Sequence, residues 1–574
     1  MITINDDWKH IVSEQGQEHI DRLLPRFLKS TRWFGGKAKT IRSAHISDVV
    51  HLDEGETAMA LAFVEVTYDE GGLETYALPI TAAFGPAADR IRHEHANAII
   101  GSLKVVGPHG TDVGLLHDAV WNEACGYYLL HCMGRRTRVK GSLGTLVAST
   151  TMAFDRTAVT PEIAPLSVMK AEQSNTSLKF GDRMIMKLYR RLDHGVNPEL
   201  EIGRTLTSRK FRHAPALIGA LEYLRDGKEP ITLALAQMFV PNKGDAWQYT
   251  LRQLSRYFDC VSALRPHEDS AGSQPIRKLT KQLAGGTRDL FLGFLEAASL
   301  LGRRTAELHL VLSQYGRDPA FTPEVCSPAY LQFRFEAMRQ LIDHSLALLR
   351  SQLPALSPCD RSRAQQILER EGELVSRCRA LVDMTPTAMR IRCHGDYHLG
   401  QVLFTGQDFV IIDYEGEPAR PLAERRTKHI PVLDVAGMIR SFQYAAHVAL
   451  RHRSGRPAGD PGVHELTPWA DHWFRTVKAA FLKGYVPAAG DAPFLPQSRQ
   501  EFDLLLGIHL LEKSVYELAY ELNNRPDWVT IPLRGILHLI ALSSHIGHVD
   551  DLEALPDDDR DPCSVGSTED EVHQ

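Results

Sequence analysis

At 574 residues, 43% hydrophobic and 24% charged, the chain has the make-up of a globular protein, and it is too long for one hydrophobic core, so two or three structural units are expected. Acidic residues outnumber Lys and Arg by 71 to 65, and a net charge of -6 gives no basic footprint for nucleic acid. The eight cysteines stand singly without a C-x-x-C pair, which indicates neither a zinc site nor a disulfide framework; the opening MITINDDWKH lacks a leader-like apolar stretch, no apolar run reaches a membrane span, and a cytoplasmic protein is expected.

Residues 20–40 carry an amphipathic helix and then Arg32-Trp33-Phe34-Gly35-Gly36-Lys37, an aromatic pair beside a diglycine turn, where aromatic rings usually anchor a helix to a sheet. Strand formers fill residues 41–84, and Asp69-Glu70-Gly71-Gly72 punctuates them as a hairpin. This first unit, residues 1–111, ends in the loop at 107–110. A second β-rich unit, residues 112–245, opens with a helix after Trp121-Asn122 and continues in strands around Gly141 and Gly144. Strands at 166–171 and 177–180 flank Gln173-Ser174-Asn175-Thr176, and Gly181-Asp182 turns the chain into a third strand, 184–187. Asn197-Pro198 opens a helix as N-cap and first-turn proline. A strand at 231–240 breaks at Pro241-Asn242. The third unit, residues 246–550, is almost all helix: 290–312, 330–352 and 361–384 show apolar residues at three- and four-residue spacing, and further helices run through 469–484 and 502–523. The acidic tail, residues 551–574, is expected to be disordered.

The chemistry concentrates in residues 392–436. His394-Gly395-Asp396, with Gln401 at the end of the same loop, resembles the H-x-D-x4-N catalytic loop of kinases with Gln in place of Asn. An acid at Asp396 takes the proton of an attacking hydroxyl, and the Gln401 amide oxygen suits a magnesium ion, a hard cation that prefers oxygen ligands. An apolar strand, 409–412, then leads to Asp413-Tyr414-Glu415-Gly416, in the place of the kinase acid that joins metal to the β- and γ-phosphates, with Glu415 as a further metal contact. The hairpin tip at Ser174, Asn175 and Thr176 takes the place of a glycine-rich phosphate loop but has no glycine, so its hydroxyls and amides would make the phosphate contacts. Lys187 follows as phosphate anchor. One acid of the helix starting at Pro198 would pair with it; Glu201 is favoured and Glu199 remains open. Backbone around Met238 and Val240 would face adenine beside an interlobe hinge. Asp434, at a helix start, would brace the catalytic loop together with His394. Lys513, Tyr516, Glu517 and Tyr520 fall three or four apart, so one helix face carries a cation, an acid and two rings suited to a sugar.

These segments resemble the maltokinase family, bacterial ATP-dependent kinases that form maltose 1-phosphate. HGDYHLGQ at 394–401 and DYEGEPARPLAERR at 413–426 are similar to the two signature loops of that family. QSNTSLKFGDRMIMKLYRRL at 173–192, RWFGGK at 32–37 and LLEKSVYELAYELNNRPDWVTIPLRGI at 510–536 extend the likeness along nearly the whole chain. The resemblance implies an α+β, bilobal, protein-kinase-like fold: an N-terminal cap, a β-rich ATP-binding N-lobe and a mostly helical C-lobe carrying the catalytic and metal loops. It further implies ATP and Mg2+ as cofactors, maltose as acceptor, a product that feeds alpha-glucan synthesis, and no nucleic-acid or membrane partner. Association with trehalose synthase, to which the family is often fused, is also implied, although with so few residues before the cap that enzyme is not expected within this chain. Extra length relative to compact members falls around 265–286, around 451–460 and in the tail. Two alternatives stay open: a kinase of the same fold for glucosamine or another sugar, and a non-catalytic sugar-sensing subunit.

Overall fold

A computed structural model describes residues 1–5, 7–12, 16–54, 57–107, 110–154, 164–169, 174–263, 285–314, 318–454 and 466–541. The acidic tail and most of the two insertions noted above lie outside these residues. Two units result, Met1–Asn242 with Val410–Arg426, and Lys243–Phe409 with Thr427–Gln574. Among the described residues no helix is long and apolar enough to cross a membrane.

The first unit holds two sheets. Strands β1 (Ile2–Asn5), β2 (Ile41–Glu54), β3 (Thr57–Tyr68), β4 (Leu73–Phe84), β5 (Ile99–Gly107) and β6 (Gly110–Asp118) form one in the order β1-β5-β6-β4-β3-β2. The β3–β4 hairpin closes through Gly71 and Gly72 at φ of 89° and 99°, a region that side chains disfavour. Strands β7 (Arg138–Lys140), β8 (Thr145–Thr150), β9 (Leu166–Val168), β10 (Asn175–Phe180) and β11 (Met184–Tyr189) belong to the second sheet. The short β12 (Arg191–Leu192) adds to β4 of the first, and β13 (Leu217–Leu224) and β14 (Ile231–Met238) complete the second as β7-β8-β13-β14-β11-β10-β9.

Two features correct the boundary expected at residue 111. The loop at 107–110 is a hairpin turn inside the first sheet, whose strand β6 runs on to Asp118. The two sheets also share a core, because alternate residues of a strand face opposite sides. From β3, Ala60, Ala62, Val64 and Val66 pack with Trp33, Phe34 and Tyr76, whereas Met59, Leu61 and Phe63 join Leu178, Met186, Leu221 and Leu235 of the second sheet. Trp33 and Phe34 are thus packing residues, each against the Tyr76 ring. A buried carboxylate fastens the same seam: Asp48 accepts the amides of Ser142 and Leu143 at 3.1 and 3.2 Å and also bonds the Tyr223 hydroxyl. The segment Val410–Arg426, expected with the helical C-lobe, belongs to this unit. Ion pairs hold it there, Lys187 to Asp413, Arg425 to Asp193 and Arg426 to Glu201.

The second unit is helical. The expected helix at 361–384 is two, Pro358–Glu369 and Glu371–Asp383. Helices Gly285–Leu312 and Thr467–Ala489 cross closely because both carry glycine at the contact: a Cβ at Gly302 would collide with the Phe481 carbonyl, and one at Gly484 with that of Ser299. Other long helices are Pro328–Gln352, Val432–Ser454 and Arg499–Asn524. Six described cysteines are free thiols.

Candidate active site

In the first unit the chemistry gathers around one ammonium. Lys187 sits on β11 between β10 and β14, opposite Ser177 and Leu235, so its side chain leaves a strand held on both edges. Its Nζ lies 3.0 Å from Glu199 Oε2 and 2.6 Å from Asp413 Oδ1, and it also contacts Glu415 Oε1. The partner from the helix Pro198–Ser208 is therefore Glu199, not Glu201. The first turn of that helix is buried, Glu199 is 2% exposed, and the Tyr189 hydroxyl donates to the same Glu199 oxygen at 2.7 Å. Glu201 instead receives Arg426 at 3.1 Å.

Burial acts most strongly on Lys187 and disfavours its charge, but Asp413, Glu199 and Glu415 outweigh it and hold the ammonium well above its ordinary pKa. Burial pushes the Glu199 carboxyl up to about 7 against the pull of Lys187, and raises Glu415 for the same reason. Oxygens of Glu199, Asp413 and Glu415 lie within 4.8 Å of one another. This donor set fits a hard divalent cation, which takes carboxylate oxygens. Asp413 has φ of 64°, in the left-handed region that non-glycine residues seldom occupy and that recurs at functional sites. Glu415 is held from two sides, by Asn175 Nδ2 at 3.3 Å and Arg425 Nη1 at 3.9 Å.

The hairpin tip divides by residue. Ser174 is exposed and Asn175 is tied to Glu415. Thr176 departs from the expectation of a phosphate-facing hydroxyl: it is 7% exposed and its Oγ1 accepts from Arg190 Nε at 2.8 Å. At the end of β14 the Met238 amide donates to Ala216 and the Phe239 amide to Arg183, while the Val240 carbonyl accepts from Asn242.

In the second unit the catalytic loop is held by its backbone. Asp434 accepts the amide of His394 at 2.8 Å on Oδ2 and that of Gly395 at 2.9 Å on Oδ1. His309 lies 3.1 Å from Oδ2 through Nε2, and its Nδ1 is 3.0 Å from the Tyr485 hydroxyl. Burial is the largest influence on Asp434 and opposes its charge, yet His309, His394 and the Gly395 amide hold its carboxyl below the ordinary value. Past Asp396, the Tyr397 hydroxyl meets Thr305 Oγ1 at 2.9 Å. Gln401 closes a short turn by donating its amide to the His398 carbonyl at 2.9 Å.

Asp396 has two cationic or titratable neighbours, Lys513 Nζ at 3.4 Å and His398 Nε2 at 3.8 Å. Lys513 also lies over the Tyr516 ring at 4.8 Å. The other two residues of the expected sugar wall are differently placed. Glu517 turns its carboxylate to Arg440, whose Nε is 3.0 Å away and which is 1% exposed, and Tyr520 is 45% exposed with Arg525 over its ring.

Sequence reasoning singles out neither His309 nor Tyr485, Thr305 or Arg440. Each lies in a helix whose apolar periodicity reads as packing. The only local signal is a polar pair four residues apart, Thr305 and His309, which marks one helix face without naming what it meets.

Residues 27–120 match the maltokinase N-terminal cap domain, and residues 262–469 match the phosphotransferase enzyme family. A glucosamine kinase of Streptacidiphilus jiangxiensis is 24% identical over 374 residues, covering 64% of this chain and 72% of that protein. A glucosamine kinase of Mycolicibacterium smegmatis is 24% identical over 364 residues, covering 63% and 76%. Among solved structures, a glucosamine kinase in complex with glucosamine, ADP and inorganic phosphate superposes with a TM-score of 0.59 at 17% identity, over 93% of this chain and 99% of that one. A crystal form of glucosamine kinase gives 0.57 at 18% identity, over 86% and 94%.

Proposed function

From a chain with the kinase-like phosphotransferase fold and a maltokinase-type N-terminal cap, we infer that it transfers the terminal phosphoryl group of ATP to the anomeric hydroxyl of maltose, giving maltose 1-phosphate and ADP. The observation that carries the reading is the set of Lys187, Glu199, Asp413 and Glu415, in which Glu199 is buried and the other three are partly exposed. A cation-anchored acid cluster is what polyphosphate positioning requires, and positioning with charge stabilisation supplies most of the catalysis in phosphoryl transfer. Lys187 anchors phosphate oxygens. Asp413 and Glu415 would hold a divalent cation, which when bound neutralises phosphate charge. Asp396 receives the proton of the sugar hydroxyl, with the Lys513 ammonium 3.4 Å from its carboxylate.

The choice of a neutral sugar rests on charge. An ammonium-bearing acceptor needs an uncompensated carboxylate, whereas Glu517 is answered by Arg440, Glu521 by Arg525 at 2.8 Å, and Lys513 adds a like charge next to Asp396. Glucosamine is the second reading, favoured by what the relatives are called. A coupled assay of ADP release with Mg-ATP across maltose, glucose, glucosamine, trehalose and an aminoglycoside tests both. Maltose is expected to show the highest kcat/KM. A higher value for glucosamine overturns the acceptor, and no release with any sugar overturns the activity.

A further inference from the structure

Charge is unevenly spread along this chain. The whole carries a net -6, yet no Asp or Glu lies between Glu123 and Asp155 or between Glu201 and Glu222, and these two stretches hold eight Lys and Arg residues.

The fold brings both stretches to one end of the second sheet. Strands β8 and β13 pair there with Thr150 opposite Gly219, and the Thr151 amide donates to the Ile218 carbonyl at 2.8 Å. The helix Glu123–Arg135 ends beside β8, where Arg136 donates from Nε to Thr150 Oγ1 at 3.0 Å. The helix Pro198–Ser208 ends beside β13, where Thr207 Oγ1 accepts the Leu217 amide at 2.8 Å. Each chain leaves its helix through a left-handed residue, Arg136 at φ of 54° and Lys210 at φ of 56°, so the cations that follow stay near the helix end instead of running on along its axis.

Contacts within the fold account for part of this charge. Arg204 meets Glu222 at 2.6 Å. Arg135, Arg136 and Arg209 stand in or just past the last turn of a helix, where the carbonyl end of the macrodipole favours a cation. That field fades within the turn and does not reach Arg138, Lys140 or Arg212. These three and Lys210 are exposed, and among the described residues they make no ion pair. An exposed surface of one sign without an internal counter-charge is the footprint of a partner of the other sign.

We propose that this end of the second sheet is a docking surface for a short acidic segment of another protein, whose carboxylates pair with Arg138, Lys140, Lys210 and Arg212. Guanidinium groups offer a planar fork that matches a carboxylate. A long polyanion such as a nucleic acid shares that chemistry, but it runs off the patch on to a molecule of net negative charge. At physiological salt a charge is felt over about 8 Å, so only a short partner meets the patch alone. The proposal goes beyond the kinase reading and does not depend on it.

The test is fluorescence anisotropy on the full chain with a labelled peptide of about ten glutamates, at roughly 50 and 200 mM salt. Wild type is expected to bind at micromolar concentration and to lose roughly ten-fold in affinity across that range. Arg138→Glu/Lys210→Glu/Arg212→Glu should weaken binding at least about ten-fold. Lys29→Glu/Arg90→Glu/Arg379→Glu makes the same change in net charge at exposed cations elsewhere and should stay within about two-fold. Where charge reversal prevents folding, Arg138→Gln/Arg212→Gln removes charge without reversing it and should weaken binding roughly three-fold. No binding by wild type overturns the proposal. Equal weakening by the two triple variants also overturns it, since the attraction would then belong to net charge and not to this surface. Tighter binding of a single-stranded DNA of about ten nucleotides than of the peptide overturns it in favour of a nucleic acid. None of these readouts involves ADP release, so a failure of the kinase reading leaves the test intact.

Discussion

At the scale of single residues, the partner of Lys187 shows what a sequence leaves open. The helix cap at Asn197 is legible, and its Oδ1 does accept the Glu199 amide at 2.8 Å. Glu199 and Glu201 nevertheless differ by two positions, about 200° around a helix, and only the rotation of the helix on its sheet decides which faces the strand lysine. Burial of Glu199 and Leu200 together sets that rotation. Glu199→Gln should therefore lower kcat/KM about a hundred-fold, because it strips a buried partner from Lys187, while Glu201→Gln, paired to Arg426 on a more exposed flank, should stay within about three-fold. Steady-state kinetics on both variants checks this, and the reverse order would restore Glu201.

At the scale of elements, the helix Arg499–Asn524 carries the acceptor question. Lys513 stands beside Asp396 and would repel an amine; Lys513→Met should raise the ratio of kcat/KM for glucosamine to that for maltose roughly ten-fold, with any loss common to both sugars cancelling in the ratio. Another helix, Val432–Ser454, gives a pH prediction. Burial, and then Arg534 and Arg440, push His447 down to about 3 from 6.5. A base depressed in the fold leaves the unfolded chain binding the extra proton below pH 6.5, so stability falls as pH drops through that value. His447→Gln should remove this loss, and the stability difference between wild type and variant should shift in favour of the variant by about 2 kcal/mol between pH 7 and pH 5, read by denaturant titration. A constant difference across that range would mean His447 is not held neutral. The hairpin strands β3, β4, β10 and β11 were legible because glycine and Asn/Asp turns punctuate them. The faces of the long helices were not, because apolar spacing shows that a face packs but not against what, which is why His309 and Arg440 read as scaffold.

At the scale of the whole molecule, the cap is not a separable module. Its strand β3 divides its side chains between two cores, one of them shared with the sheet that bears Lys187. No local pattern announces such sharing, since a strand buried on both faces reads only as a continuous apolar run. Asp48 makes the seam testable. Asp48→Ala would leave the Leu143 amide and the Tyr223 hydroxyl without their acceptor and the Ser142 amide with only its longer bond to the Val49 carbonyl, and should cost roughly 2–4 kcal/mol, seen as a lower midpoint of thermal unfolding followed by circular dichroism. A midpoint within a degree of wild type would show the seam to be held by apolar packing alone.

The excursion of Val410–Arg426 into the first unit also sets a clock on synthesis. Lys187 and Glu199 lie 12 residues apart, but Asp413 follows Lys187 by 226. At bacterial and eukaryotic ribosome speeds that gap lasts on the order of ten to fifty seconds. Throughout it the nascent first unit has its lysine and one acid, but neither Asp413 nor Glu415, and Glu201 waits as long for Arg426. An N-terminal fragment cut between Asn242 and Val410 would freeze the protein in this adolescent state, with the fold of its sheets well advanced and its charge balance unfinished.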